Sequence, residues 1–305
     1  MANSVLNQTA AQPQAEWQPR DMIRSLVWKM AIATWLLMAV GSATRVMNAG
    51  LACPDWPLCY GELVPTAQMN LQVFLEWFHR LDAALIGLSA IALTALSWWY
   101  RHRLPGWLAI ASPLTLFLIV SQGILGALTV TQLLRFDIVT AHLGMALVFF
   151  ITLVAIGLML TPYQATGTVG KLPWLASIAA LLIYLQSLLG ALVGSQWALH
   201  QCFGASELCG VMNSHIMGIV PATVGTLAVI AIAWRTPALN ATLRKLANWA
   251  GLCLIAQLLL GVATFRLHLQ VEPLTVAHQA VGAALLATLV AFSVLAWRDR
   301  AISAN

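Results

Sequence analysis

The sequence predicts an all-α integral membrane protein. Its eight transmembrane helices are expected to form two pseudo-symmetric four-helix bundles, related as a parallel repeat, with both termini cytoplasmic. Three observations carry this prediction. The 305 residues are 60% hydrophobic and only 8% charged, where a soluble domain carries roughly 25% charged residues. The apolar residues gather into eight runs, near 23–46, 76–99, 107–130, 138–160, 173–196, 213–234, 246–267 and 274–297. Finally, the last four runs repeat features of the first four.

Taken in order, residues 1–22 read as a cytoplasmic tail. They are polar and rich in Gln and Ala, without the pattern of a cleavable signal peptide or an arginine-rich presequence. Each apolar run suits a helix crossing a hydrocarbon core of about 30 Å, which takes about 20 residues. Runs one to four make an N-terminal bundle over 23–160, and 161–172 is a cytoplasmic linker. Runs five to eight make a C-terminal bundle over 173–297, and 298–305 is a second cytoplasmic tail.

Basic residues orient the chain. With the N-terminus inside, Arg20, Arg24, Lys29, Arg101, Arg103, Lys171, Arg235, Arg244, Lys245, Arg298 and Arg300 all fall on the cytoplasmic side. Arg45, Arg80, Arg135 and Arg266 fall outside. Eleven against four is a positive-inside signal. The net charge of +5 is therefore a matter of topology and gives no ground for expecting nucleic acid as a partner. A bacterial plasma membrane is the expected location, with an organelle-encoded or plastid setting as the alternative.

The repeat is visible residue by residue. SQGILGALTV (121–130) matches AQLLLGVATF (256–265), TAHLGMAL (140–147) matches VAHQAVGAAL (276–285), and LLMAVGSA (36–43) matches LQSLLGAL (185–192). An even number of spans per copy relates the two by an axis along the membrane normal. Facing helices of a four-helix bundle can hold a cofactor between them.

Four of the seven histidines define the candidate site. His79 and His142 stand 63 residues apart, as do His215 and His278, and the second pair is the first displaced by 136 residues. In the predicted topology His79 and His215 open their spans, and His142 and His278 lie a few residues into theirs. All four are then at one depth, near the outer face. Imidazole is costly in lipid and is seldom placed there without a partner. Interfacial capping or snorkelling accounts for any one of them alone. Two pairs at one spacing fit a metal macrocycle held by two axial histidines in each half. Zinc fits less well, because it takes four ligands and finds two histidines per half. His102 is cytoplasmic, and His200 and His268 fall in outer loops without a repeat partner.

The halves differ at one acid: the displacement that carries His79 to His215 carries Glu76 to Met212. Glu76 and His79, three residues apart, share a helix face. The carboxylate either handles protons or orients an oxygen species, or it is a helix N-terminal acid paired with Arg80. Two cysteine pairs precede histidine-bearing helices, Cys53 with Cys59 in CPDWPLC and Cys202 with Cys209 in CFGASELC. Pairs this close oxidise outside the cytoplasm, as loop staples or, for the first pair, in a redox role. Cys253 reads as a small apolar residue. Arg45, Arg80, Arg135 and Arg266 are candidate propionate partners or interfacial anchors. Gln122 and Gln257 either bond across helices or face the macrocycle.

These residues resemble a known family, the haem A synthases of aerobic bacteria and mitochondria. The resemblance spans 23–297 and rests on CPDWPLCYG, on E-x-x-H at Glu76–His79, on AHLG around His142, and on NSH and AHQ around His215 and His278. It implies oxidation of the C8 methyl of haem O to a formyl group, giving haem A for cytochrome oxidase. It implies that His215 and His278 ligate a resident haem b, and that Glu76, His79 and His142 form the haem O site. Cys53–Cys59 is implied in electron or haem transfer, with Cys202–Cys209 structural. A haem O synthase and an electron donor are the implied partners. Two rival readings remain: a dihaem b-type electron-transfer cytochrome, and a haem-carrying or exporting module.

Overall fold

The structure, a computed structural model, describes residues 18–195 and 207–303. Among them are eight helices long and apolar enough to cross a membrane. They are α1 (Pro19–Val46), α2 (Leu71–Trp99), α3 (Leu108–Thr131), α4 (Phe136–Leu160), α5 (Leu172–Gly194), α6 (Glu207–Arg235), α7 (Ala241–Arg266) and α8 (Glu272–Ser303). No strand occurs among the described residues.

Local chemistry fixes the helix ends. Pro19 and Pro173 sit in the first turns of α1 and α5, where a missing N–H leaves no bond unmade. Asn70 caps α2 by accepting the Val73 amide at 3.0 Å. Asn240 caps α7 by accepting the Thr242 amide at 2.8 Å. Pro113 and Pro221 lie within α3 and α6, as membrane helices tolerate when neighbours re-satisfy the freed carbonyls.

Each set of four helices closes on itself. In the first, α1 packs on α2 and α4, and α3 lies between α2 and α4. In the second, α5 packs on α6 and α8, and α7 lies between α6 and α8. The sets meet where α1 and α4 pack on α8 and where α4 packs on α5. The Trp35 indole donates to the Ala280 carbonyl at 2.9 Å, and the Gln279 amide donates to the Met38 carbonyl at 3.2 Å. Accordingly α4 and α8 contribute the largest buried side chains, Phe149, Leu153, Leu285, Leu289 and Phe292 among them. Leu88, Ile110, Phe117, Met217 and Leu259 are exposed, as a lipid-facing surface requires.

One turn appears twice. Leu133 and Leu134 between α3 and α4, and His268 and Leu269 between α7 and α8, all have φ between 51° and 60°. The backbone bonds correspond as well: Leu134 donates to Thr129, and Leu269 to Thr264. Left-handed backbone is uncommon for residues with a Cβ, so its recurrence at corresponding places is informative.

Several helices run beyond the apolar segments. α2 and α6 start five and six residues before the predicted spans, so His79 and His215 lie inside their helices instead of opening them. α8 extends to Ser303 because its last turns hold the 161–171 linker. Asp299 is fully buried and accepts bonds from the Thr166 and Gly167 amides, at 3.0 and 2.7 Å, and from the Tyr163 hydroxyl at 3.0 Å. Burial and the nearby Asp299 raise the Tyr163 hydroxyl well above the ordinary tyrosine range. Arg298 donates to the Leu158 and Thr161 carbonyls, and Arg20 to the Leu160 carbonyl. Arg20 and Arg298 thus both cap the C-terminal end of α4.

Candidate functional site

The four histidines occupy matched positions. His79 and His215 are the ninth residues of α2 and α6, and His142 and His278 are the seventh of α4 and α8. At 1.5 Å per residue this is about 12 Å and about 9 Å from each helix start.

Each imidazole lies against a glycine on the preceding helix. A Cβ on Gly41 would stand 2.8 Å from His79 Cε1, and one on Gly190 would stand 2.9 Å from that of His215. For Gly261 with His278 the distance is 3.0 Å, and for Gly126 with His142 it is 3.2 Å. Glycine is required at these positions because any larger residue would push the ring away. One turn before each glycine, on the same helix, stands Leu37, Gln122, Gln186 or Gln257 in turn.

Three of those four residues add an amide. Gln122 Nε2 lies 3.3 Å from His142 Nε2, and Gln257 Nε2 lies 3.3 Å from His278 Nε2. Gln186 Nε2 lies 3.1 Å from His215 Nδ1 and donates to the His215 carbonyl at 2.7 Å. Gln122 and Gln257 therefore each meet a histidine on the following helix. The glycines and Gln186 were not singled out from the sequence. Their signal was present as a Gln/Leu-x-x-x-Gly spacing at corresponding places in the repeat, at 37/41, 122/126, 186/190 and 257/261.

In the first half the His79 and His142 rings face one another with centroids 6.5 Å apart and planes inclined by 65°. Two metal–imidazole bonds of about 2 Å each, together with two ring radii, need a separation of this order. His79, His142 and His278 each retain a buried Nδ1 with no hydrogen-bond partner. Among the described residues no three His, Cys, Asp or Glu converge as a metal cluster. The donor sets are pairs, which suits a macrocycle supplying the remaining ligands. On these observations the residues fit bis-histidine haem.

The loop between α1 and α2 is built onto α2. Cys53 and Cys59 form a disulfide, with Cα atoms 4.8 Å apart, buried against Val73 and Trp77. The Asp55 carboxylate accepts the Tyr60 and Gly61 amides at 2.6 and 2.7 Å. Those bonds, the Gly61 one foremost, hold its pKa below the usual range. Both residues have positive φ, and at Gly61 the absent Cβ makes that turn easy. Glu76, 4% exposed, accepts the Cys53 amide at 2.8 Å and the Arg80 guanidinium at 2.5 Å. Arg80 also donates to the carbonyls of Asp55 and Leu58, both at 2.6 Å.

The four arginines Arg45, Arg80, Arg135 and Arg266 separate by surroundings. Arg80 is committed to the loop carbonyls and Glu76. Arg135 pairs with Asp137 at 2.6 Å on an exposed surface, and Arg266 ends α7, also exposed. Arg45 reaches from α1 into the second half, donating to Gln279 at 3.4 Å and lying against Gly194. Cys209 is disulfide-bonded, while Cys202 and His200 lie outside the described residues. Cys253 is free, His102 lies in a short exposed helical turn (Arg101–Arg103), and His268 is exposed in the α7–α8 turn.

Comparison with known proteins agrees with this architecture. A protein named haem A synthase from Shewanella oneidensis is 26% identical over 325 aligned positions, covering 89% of this chain and 97% of that one. A haem A synthase from Symbiobacterium thermophilum is 38% identical over 82 positions, 27% of this chain and 25% of the relative. One from Bacillus mycoides is 30% identical over 139 positions, 44% and 43% of the two chains. Residues 24–290 match the sequence profile of the cytochrome oxidase assembly proteins (COX15-CtaA). Because that match covers most of its length, the chain belongs to the cytochrome oxidase assembly protein family, COX15-CtaA type.

Proposed function

We propose that this protein is a haem A synthase, which oxidises the C8 methyl of substrate haem O to a formyl group in the membrane. The observation that carries the reading is the matched set of four histidines, each on a glycine of the preceding helix and paired across the bundle. The family and the relatives' names support it.

In this reading His215 and His278 hold a resident haem b in the C-terminal bundle, and His79 and His142 hold the iron of haem O in the N-terminal bundle. A resident haem supplies one-electron transfer there. The chain's contribution is to place the methyl, exclude water and manage charge. Glu76 lies one helical turn from His79 on the same face, where its carboxylate can hold or pass a proton. Arg80 donates to that carboxylate and fixes its position. Its guanidinium donors are engaged, so propionates fall to other groups, Arg45 first. The basic-residue bias places both sites toward the extracytoplasmic face of a bacterial plasma membrane. A haem O synthase supplies the substrate; conversion of methyl to formyl removes four electrons and adds one oxygen atom, so an oxidant is required, and with dioxygen in that role a separate electron donor as well.

Pigment analysis tests the proposal. The protein is purified from cells that supply haem O, and its porphyrins are extracted and identified by chromatography and mass. Haem b together with haem O and its hydroxylated or formyl derivatives is the expected result. Two equivalents of haem b and nothing else would replace it with the dihaem electron-transfer reading.

A further inference from the structure

The four histidine seats share one plan and differ at one position. In each, a glycine admits the ring, and the residue four before it lies one turn away on the same helix. Three of those residues are glutamines whose amides lie 3.1–3.3 Å from a ring nitrogen. The fourth, at His79, is Leu37, which has no polar side-chain atom to offer.

The second half invests further in its glutamines. A Cβ on Gly218 would collide with Gln186 Oε1, and one on Gly282 would stand 3.1 Å from Gln257 Nε2. Glycines three and four residues beyond His215 and His278 therefore make room for the amides, so the glutamine and its histidine seat on the same helix. Oε1 of Gln122, Gln186 and Gln257 is buried with no hydrogen-bond partner. A buried amide oxygen left unpaired is costly, and three at equivalent places point to a group still to be met. Each glutamine presents its amide nitrogen to the ring, at Nε2 of His142 and His278 and at Nδ1 of His215, and a neighbour fixed on one ring nitrogen holds the orientation of an imidazole that uses the other as a ligand.

We propose that Gln122, Gln186 and Gln257 are positioning residues that lock three of the four axial histidines, and that Leu37 gives His79 no such contact, so that the N-terminal bundle releases its porphyrin while the C-terminal bundle retains it. This rests on the haem-ligand reading above. It adds the physical basis for one site exchanging and the other holding. With two locked ligands the C-terminal haem dissociates slowly. With one locked and one unlocked the N-terminal product leaves, as turnover requires.

The test uses the full-length protein in detergent, loaded with haem b, and follows loss of haem to excess apomyoglobin by absorbance. One net hydrogen bond corresponds to about threefold to tenfold in a rate or equilibrium constant. Gln186→Leu and Gln257→Leu are each expected to speed loss from the C-terminal site by that factor. Leu37→Gln is expected to slow loss from the N-terminal site comparably. Because a leucine can disturb packing, Gln257→Glu is a second variant of nearly the same shape. A carboxylate beside the ligand makes it more basic, so the midpoint potential of the C-terminal haem should fall while the haem stays bound. Unchanged release in all three apolar and polar exchanges, with an unmoved potential in Gln257→Glu, would overturn the proposal. His278→Ala separates it from its premise. If that variant keeps the C-terminal haem, the ligand assignment fails. If it loses the haem while the glutamine variants behave as the unmodified protein does, only the lock fails.

Discussion

Glu76 accepts the Cys53 amide at 2.8 Å, which joins helix α2, the carrier of His79, to the disulfide ring of the α1–α2 loop. The bond runs from the residue one turn before His79 to a backbone atom of the cysteine itself. Arg80 closes the same network from the next turn, on Glu76 and on loop carbonyls. Loop, carboxylate and the candidate ligand on α2 are therefore one unit, and a change in one is felt by the others.

Replacing Glu76 by Gln keeps the bond to Cys53 possible and removes the charge. The expected outcome is a folded protein with its resident haem and a marked fall in formyl formation. Chromatography of the porphyrins made from supplied haem O checks this, and undiminished haem A would sink the role given to the carboxylate.

Removing the disulfide by Cys53→Ser with Cys59→Ser releases a ring of six-residue separation. Closing so short a ring restrains the unfolded chain by only about 2–2.5 kcal/mol on the entropy model. A lower thermal midpoint is expected, and amide exchange should quicken first across 53–62. Unchanged exchange in that segment would show that Arg80 and Asp55 hold the loop alone.

Asp55 gives the loop a pH dependence. The Gly61 and Tyr60 amides stabilise its ionised form and lower its pKa in the folded protein. Its contribution is thus present above the unfolded value of about 3.9 and is lost as pH falls through the lower folded value. Asp55→Asn should abolish that acid dependence, read as amide exchange of 60 and 61 against pH.

Gly261→Ala should displace the His278 ring, because a Cβ there stands 3.0 Å from Cε1. Gly87→Ala meets open space and serves as the control. Haem per chain, measured as the pyridine haemochrome, is expected to drop for the first and hold for the second. Equal haem in both would contradict the glycine seat.

Asp299→Ala removes the acceptor that gathers Tyr163, Thr166 and Gly167. A buried, charge-assisted set of this kind contributes about 1.5–3 kcal/mol. Faster proteolysis within 161–171 is the expected sign, with haem content little changed.

The spans were legible in the sequence because crossing a bilayer is a matter of local composition and length. The four histidines were legible for a related reason: polar groups stand out against an apolar background, and their repeated spacing survives without knowledge of any contact. The helix ends at Leu71, Glu207 and Ser303 were not. α2 and α6 begin in polar sequence that hydropathy does not score as membrane, and α8 continues because Asp299 and Arg298 bind a linker distant in sequence. Glu76 stood out as the acid that differs between halves, yet its bond to Cys53 spans 23 residues and depends on how the loop folds back.

What the sequence alone determined is the class of the protein, the number of its spans and the identity of the histidines. The tertiary structure decided which glycine faces each ring, that Gln186 joins Gln122 and Gln257 while Leu37 does not, and that Arg80 is bound to the loop. The physical reason is that hydropathy and spacing are properties of one helix at a time. Which side chains meet across helices depends on their rotation and register, set by the packing of all eight together.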